Sequence, residues 1–257
     1  MLYNPNKKGT IILSHYRSGG TRLLSTTWLS IGEKNTTNFK EWNHSLSNNE
    51  KEVDTGTHNP SKHLYSLLNS TDKYCLLLIN YPVDISNFYQ NKVFDKLKDD
   101  YEIVVLERKD KVNCFLSLPL WEMFIKAGLY DDTNDWTEEN MEHFHKDRLI
   151  SKIDTHQLSI GYTNQTPHIN GLLKDFISDI HMLQKIQKEY NFTKIYYEDF
   201  KDNVEHLFSY FPSIDKKHIL KVGKITDKTI PYVSDDYRVY FTDEVNKHLE
   251  GWKLNEL

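Results

Sequence analysis

The run Thr10–Trp28, TIILSHYRSGGTRLLSTTW, constrains the fold of this chain more than any other stretch. Thr10, Ile11, Ile12 and Leu13 form a short apolar run of the kind that makes a strand buried on both faces. Ser14 to Gly20 interrupt it with two adjacent glycines, which reach backbone conformations closed to other residues. From Thr21 the pattern resumes at helical spacing with Leu23, Leu24, Thr27, Trp28 and Ile31. A strand, a glycine loop and a helix start bring backbone N–H groups and a helix dipole to one point, where an anion is stabilised. Arg17 and Arg22 flank that point with full positive charges. The stretch therefore reads as a phosphate- or sulfate-binding loop, weighed against a plain strand–helix turn that carries glycines for steric reasons. Its spacing is not G-x-x-x-x-G-K-[ST], and no Lys follows Gly20, which disfavours a nucleoside triphosphatase or kinase of that type.

The remaining chain repeats the alternation. Tyr74–Asn80, Tyr101–Glu107 and Lys194–Tyr197 read as three further strands. Between and after them, apolar spacing predicts helices over 61–68, through Phe88, Val93, Phe94 and Leu97, and from Val112 through Phe124. The cleanest amphipathic pattern runs from Ile169 to Ile186 and is closed by Asn191; shorter helices are expected through Val204–Phe211 and Thr242–Leu249. Gly32–Pro60 reads as polar and irregular, and Asp131–Met141 as an acidic surface loop. Alternating strands and helices predict an α/β domain: three layers, a mostly parallel central sheet and a P-loop-like strand–loop–helix, formed as one domain over residues 1–257. Ligands of such sheets bind at the carboxyl ends of the strands. Three of the four predicted strands end there in polar groups, at 15–20, 108–110 and 198–199.

Charge and cysteine content narrow the function class. A formal charge of -5 argues against a general nucleic-acid binder while leaving room for a local basic pocket. Cys75 and Cys114, each beside apolar residues, read as buried free thiols suited to a reducing compartment. The twelve histidines show no metal-ligand spacing, so no metal is expected. The opening MLYNPNKKG has no apolar core, and no later run approaches spanning length, so the expectation is a cytoplasmic protein with no membrane partner.

A second anion site is suggested by Arg108 and Lys109 at a strand end, with Ser117 about two helical turns further on; the plain alternative is a surface Arg–Asp pair and a buried Ser. Two anion sites at one sheet edge suit a nucleoside with phosphates at both ends. With these residues in view, the chain resembles the sulfotransferases that use 3′-phosphoadenosine 5′-phosphosulfate (PAPS). RSGGT at Arg17–Thr21 looks like their 5′-phosphosulfate loop, and ERKDKVNCFLSL at Glu107–Leu118 like their 3′-phosphate motif. The RxDKVxxxxS form is similar to the bacterial trehalose sulfotransferase branch, and GGTR at Gly19–Arg22 to heparan sulfate sulfotransferases. KIYYEDF at Lys194–Phe200 resembles the YED segment of the superfamily. The three motifs occur in family order across residues 10 to 200.

The resemblance implies roles by position. Arg17 takes the place of the loop Lys of many members and would stabilise charge on the bridging oxygen as the sulfuryl group leaves. Unlike Lys, it cannot donate a proton. A second alignment puts Ser18 opposite that Lys, with Arg22 as the compensating charge. Ser18, Gly19, Gly20 and Thr21 would bind the 5′-phosphate; Arg108, Lys109 and Ser117 the 3′-phosphate; and Tyr197 would lie near adenine or serve as a core tyrosine. In the trehalose sulfotransferase branch the general base looks like a Glu shortly after the first helix. NFKEWN places Glu41 there between Phe39 and Trp42, with His58, His63 and Glu33 as other candidate bases. Glu198 and Asp199 read as structural anchors behind the nucleotide.

The function implied is sulfuryl transfer from PAPS to a hydroxyl or amine of a carbohydrate or small metabolite, without a metal, leaving adenosine 3′,5′-bisphosphate. The alternatives are a nucleotide-binding module of the same fold and a nucleotide phosphotransferase. Neither Gly32–Pro60 nor Gly128–Pro167, the expected walls of the acceptor cleft, carries a readable specificity signal.

Overall fold

The computed structural model describes residues 1–15, 18–42, 60–115 and 166–225. Five strands, β1 (Gly9–Ser14), β2 (Thr36–Trp42), β3 (Tyr74–Ile79), β4 (Tyr101–Glu107) and β5 (Thr193–Tyr196), form a parallel sheet in the order β2-β3-β1-β4-β5. The helices among the described residues are α1 (Gly20–Ile31), α2 (Pro60–Leu68), α3 (Pro82–Gln90), α4 (Val93–Leu97), α5 (Thr166–Tyr190), α6 (Tyr197–Phe200) and α7 (Lys216–Ile225), with 3-10 turns at Glu33–Asn35 and Val204–Tyr210.

Strand order dictates the layering. The chain steps from β1 outward to β2, then back through β3, across β1 to β4, and on to β5. Right-handed crossovers therefore send α1 to one face of the sheet and α2 to α4 to the other. Packing agrees: Ile12, Leu76, Leu78, Val104 and Leu106 meet Leu23, Leu24 and Ile31 of α1, together with Phe200 and Leu207. On the opposite face Ile11, Leu13, Leu77, Ile79, Ile103 and Val105 meet Leu64, Ile85, Phe88 and Phe94. The result is three layers, helix–sheet–helix, with successive residues of each central strand buried in opposite cores. The near-continuous apolar runs of β1, β3 and β4 follow from that double burial.

The chain packs as two compact units. One comprises Met1–Lys109 and Met182–Lys224 and contains the sheet; the other comprises Asp110–His181 and Ile225–Leu257. Helix α5 runs through the boundary, and its end contributes Leu183 and Ile186 to the first unit's core. Within the second unit, a helical segment at 111–115 begins under an Asp110 cap, with Asn113 N donating to Asp110 Oδ1 at 2.9 Å. Phe115 there packs edge-on against Phe176 at 5.4 Å.

Several expectations change. The irregular reading of Gly32–Pro60 fails over Thr36–Trp42, which is an edge strand in parallel register with β3 and a register shift between Asn38 and Glu41. The single helix through Phe88 and Leu97 is two helices, broken where Lys92 turns left-handed at φ 55. The segment through Phe211 is 3-10 rather than α, and β5 stops at Tyr196 because Tyr197 opens a short helix. Helix α7 was not anticipated. The expected helix at Thr242–Leu249, the loop at Asp131–Met141 and the Gly128–Pro167 wall, apart from its last residues in α5, lie outside the described residues.

Candidate functional site

The loop after β1 is built for close approach. Gly19 is the N-cap of α1 at φ 84, ψ 18, a left-handed conformation that costs a residue with a Cβ about 1–2 kcal/mol. No side chain caps the helix and its first turn carries no acidic residue. The first intrahelical bond runs from Leu23 N to Gly19 O at 3.1 Å, so the first N–H groups of α1 point out of its end. A turn bond from Ser18 N to His15 O, 3.3 Å, closes the approach to it, with both residues buried.

Gly20 lets the helix start lie on the sheet. A Cβ there would sit 2.8 Å from Leu78 Cδ1 and 2.9 Å from Ser14 Oγ. Ser14, the last residue of β1, is buried, and its hydroxyl has no hydrogen-bond partner among the described residues. An uncapped, acid-free helix start with a buried hydroxyl at its floor is an arrangement that can receive an anion.

The neighbouring strand ends complete the edge. Glu107 and Tyr196 pair in register at the ends of β4 and β5, so the residues that follow emerge side by side. Arg108 Nε lies 3.7 Å from Glu198 Oε1, and its guanidinium carbon 5.1 Å from the Tyr197 ring centroid. Lys109 N donates to Glu198 Oε2 at 2.8 Å, and Lys109 Nζ pairs with Asp199 Oδ1 at 2.5 Å. The hydrogen bond that Lys109 donates to Asp199 is the main cause that raises its exposed ammonium above the ordinary pKa. Within the same strand pair, Lys194 Nζ of β5 meets the buried Glu107 of β4 at 2.8 Å. Burial pulls that ammonium's pKa down, but the hydrogen bond and charge of Glu107 outweigh burial and raise it. Three cations and three carboxylates thus interlock at the β4/β5 end.

Tyr197 joins the two halves. Its ring lies against Gly19, where an added Cβ would overlap Cδ2 and fall 2.6 Å from Cε2. It packs edge-on against Phe200 at 5.6 Å, and Phe200 in turn carries the Arg22 guanidinium at 5.9 Å.

The structure brings Ser18, Gly19, Gly20, Thr21, Arg22, Arg108, Lys109 and Tyr197 to the carboxyl edge of β1, β4 and β5. Arg22 is buried and donates Nη1 to Lys201 O at 2.6 Å, tying the first turn of α1 to the end of α6. Arg17, Ser117 and His58 lie outside the described residues. Glu41 sits in β2 opposite Leu78, Glu33 in the first 3-10 turn and His63 in α2. Sequence reasoning took Glu198 and Asp199 as anchoring loops behind the nucleotide but not as partners of Arg108 and Lys109, and it missed both Ser14 and the Tyr197–Gly19 contact. No local signal reports a contact between residues so far apart in the chain. No helix among the described residues is long and apolar enough to cross a membrane. No protein-family model, curated protein or solved structure matches the chain.

Proposed function

We propose that this protein is a PAPS-dependent sulfotransferase that transfers a sulfuryl group to a hydroxyl or amine, the acceptor being a carbohydrate or small metabolite. One observation carries the reading: segments 18–22, 108–109 and 197–199 meet at adjacent parallel strand ends, with Tyr197 against both Gly19 and Arg108. These are the segments that resemble the 5′-phosphosulfate loop, the 3′-phosphate motif and the YED segment of that superfamily. The residues fit the donor, because the glycine-lined, uncapped start of α1 suits one phosphate and the Arg108–Lys109 end suits another.

When bound, PAPS supplies a sulfuryl group already activated by its link to the 5′-phosphate. The N–H groups at the start of α1 would hold the 5′-phosphate, and Arg108, Lys109 and Ser117 would hold the 3′-phosphate. Arg17 would supply the permanent positive charge beside the bridging oxygen that the departing bisphosphate keeps. Glu41 would serve as the general base that takes the proton of the acceptor hydroxyl or amine. At the β4/β5 end, Glu198 and Asp199 hold Arg108 and Lys109 in place, so the cations are preorganised at the cost of part of their charge.

Calorimetry with adenosine 3′,5′-bisphosphate tests the reading. Arg108→Ala and Ser117→Ala each weaken binding about 10- to 100-fold, the loss of a charge-assisted hydrogen bond of roughly 1.5–3 kcal/mol. A wild-type protein that binds no bisphosphate sinks the proposal. Binding of PAPS without turnover on sugars and small alcohols would point to a binding module instead. Magnesium-dependent ATP turnover would point to a phosphotransferase.

A further inference from the structure

Tyr197 is in contact with two pieces of backbone and charge that come from different ends of the chain. Gly19 needs φ 84 to aim the start of α1, yet a glycine on its own visits many other conformations. The Tyr197 ring occupies the space beside the Gly19 Cα and so removes alternatives in which that residue swings outward. The same ring stands 5.1 Å from the Arg108 guanidinium, within the range where a cation is held by an aromatic face. The ring has its own support: Phe200 packs against it edge-on at 5.6 Å, and Phe200 lies beneath Arg22, whose Nη1 is fixed on Lys201 O. Ring, loop and guanidinium therefore form one packed unit.

We propose that Tyr197 is a positioning residue that couples the two anion half-sites. It keeps Gly19 left-handed, which aims the first N–H groups of α1, and it seats Arg108 at the neighbouring strand end. The coupling rests on the sulfotransferase reading, because it takes the two half-sites to hold two phosphates of one nucleotide. The positioning does not. A ring that positions the loop has no use for its hydroxyl, so phenylalanine serves there and leucine, which lacks the flat face, does not. A cation–π contact of ordinary strength biases Arg108 toward its seat by roughly 2- to 30-fold, which sets the size of effect to look for.

Two measurements test this. In the ligand-free protein, amide hydrogen exchange at Ser18 and Leu23, whose N–H groups bond His15 O and Gly19 O, rises about tenfold in Tyr197→Leu and returns to within about threefold of wild type in Tyr197→Phe. Exchange that is unchanged in the leucine variant, or equally fast in both variants, overturns the positioning role. Near-equal melting temperatures of the two variants separate this local effect from global unfolding. In calorimetry, wild type prefers adenosine 3′,5′-bisphosphate over adenosine 5′-phosphate, and that preference falls about tenfold in Tyr197→Leu but not in Tyr197→Phe. A preference that survives in the leucine variant overturns the coupling. Loss in the phenylalanine variant equal to that in the leucine variant also overturns it, because the hydroxyl would then be touching the nucleotide. A wild type with no preference for the bisphosphate overturns the sulfotransferase reading and the coupling together, while the exchange measurement still decides the positioning role.

Discussion

Gly19 is the residue on which the loop geometry turns. Its positive φ and the Tyr197 ring act independently against any side chain, one through backbone strain and one through overlap. Gly19→Ala should therefore cost about 2–5 kcal/mol in denaturant unfolding, the sum of a left-handed penalty and an overpacked contact. Combining it with Tyr197→Ala should recover the overlap part and leave only the strain, a non-additivity that a double-mutant cycle reads directly. Strict additivity would mean the ring yields without cost. The need for glycine here was legible in RSGGT; the second reason for it was not, because Tyr197 is remote in sequence.

At the scale of elements, burial on both faces decides what could be read. β1, β3 and β4 are central, so nearly every position is apolar and the runs IIL, CLLLI and IVVL stand out. β2 is an edge strand of sequence TTNFKEW, with one neighbour and a register shift, and its polar composition reads as loop. Helix α7 was missed because its sequence, KKHILKVGKI, is dominated by lysines around Ile219 and Val222. The α3/α4 break is a third case. Apolar spacing runs through it, with Phe88, Val93 and Phe94 all buried, while Lys92 adopts φ 55 without the glycine that usually marks such a turn. Lys92→Gly should stabilise the protein by up to about 1 kcal/mol in chemical denaturation, since it removes the left-handed penalty. A destabilised variant would show that the Lys92 side chain makes up for its strain.

Over the whole molecule, the pH dependence of stability follows from groups buried in the core. Burial pushes the Cys75 thiol up to about 11 from 9.0. Tyr101 rises to about 12 from 10.0, again chiefly by burial and further by Cys75 and Asp100. Both folded pKa values are raised, so the native state holds these protons more tightly than the unfolded chain does. Their contribution is complete below pH 9 and is lost as pH climbs through 11 and 12. Stability should fall across that window, and Cys75→Ala should remove the part that begins near pH 9 while leaving the part that Tyr101 contributes from pH 10 upward. A decline that Cys75→Ala leaves intact would assign it to other groups.

Local patterning is enough to read the α/β class, the central strands, the strand–glycine–helix turn after β1 and the residue types that follow β1, β4 and β5. These are local properties: periodicity reports which faces a segment buries, and parallel strands send every following loop to the same sheet edge. The strand order β2-β3-β1-β4-β5, the inclusion of β2, the carboxylates opposite Arg108 and Lys109, and the contact of Tyr197 with Gly19 emerge only from the folded chain. Each of those depends on which segments become neighbours after loops close, and side chains that meet only then leave no periodic trace in the chain. For the Thr10–Trp28 stretch, the backbone geometry was therefore local information, and the ring and cation that complete it were not.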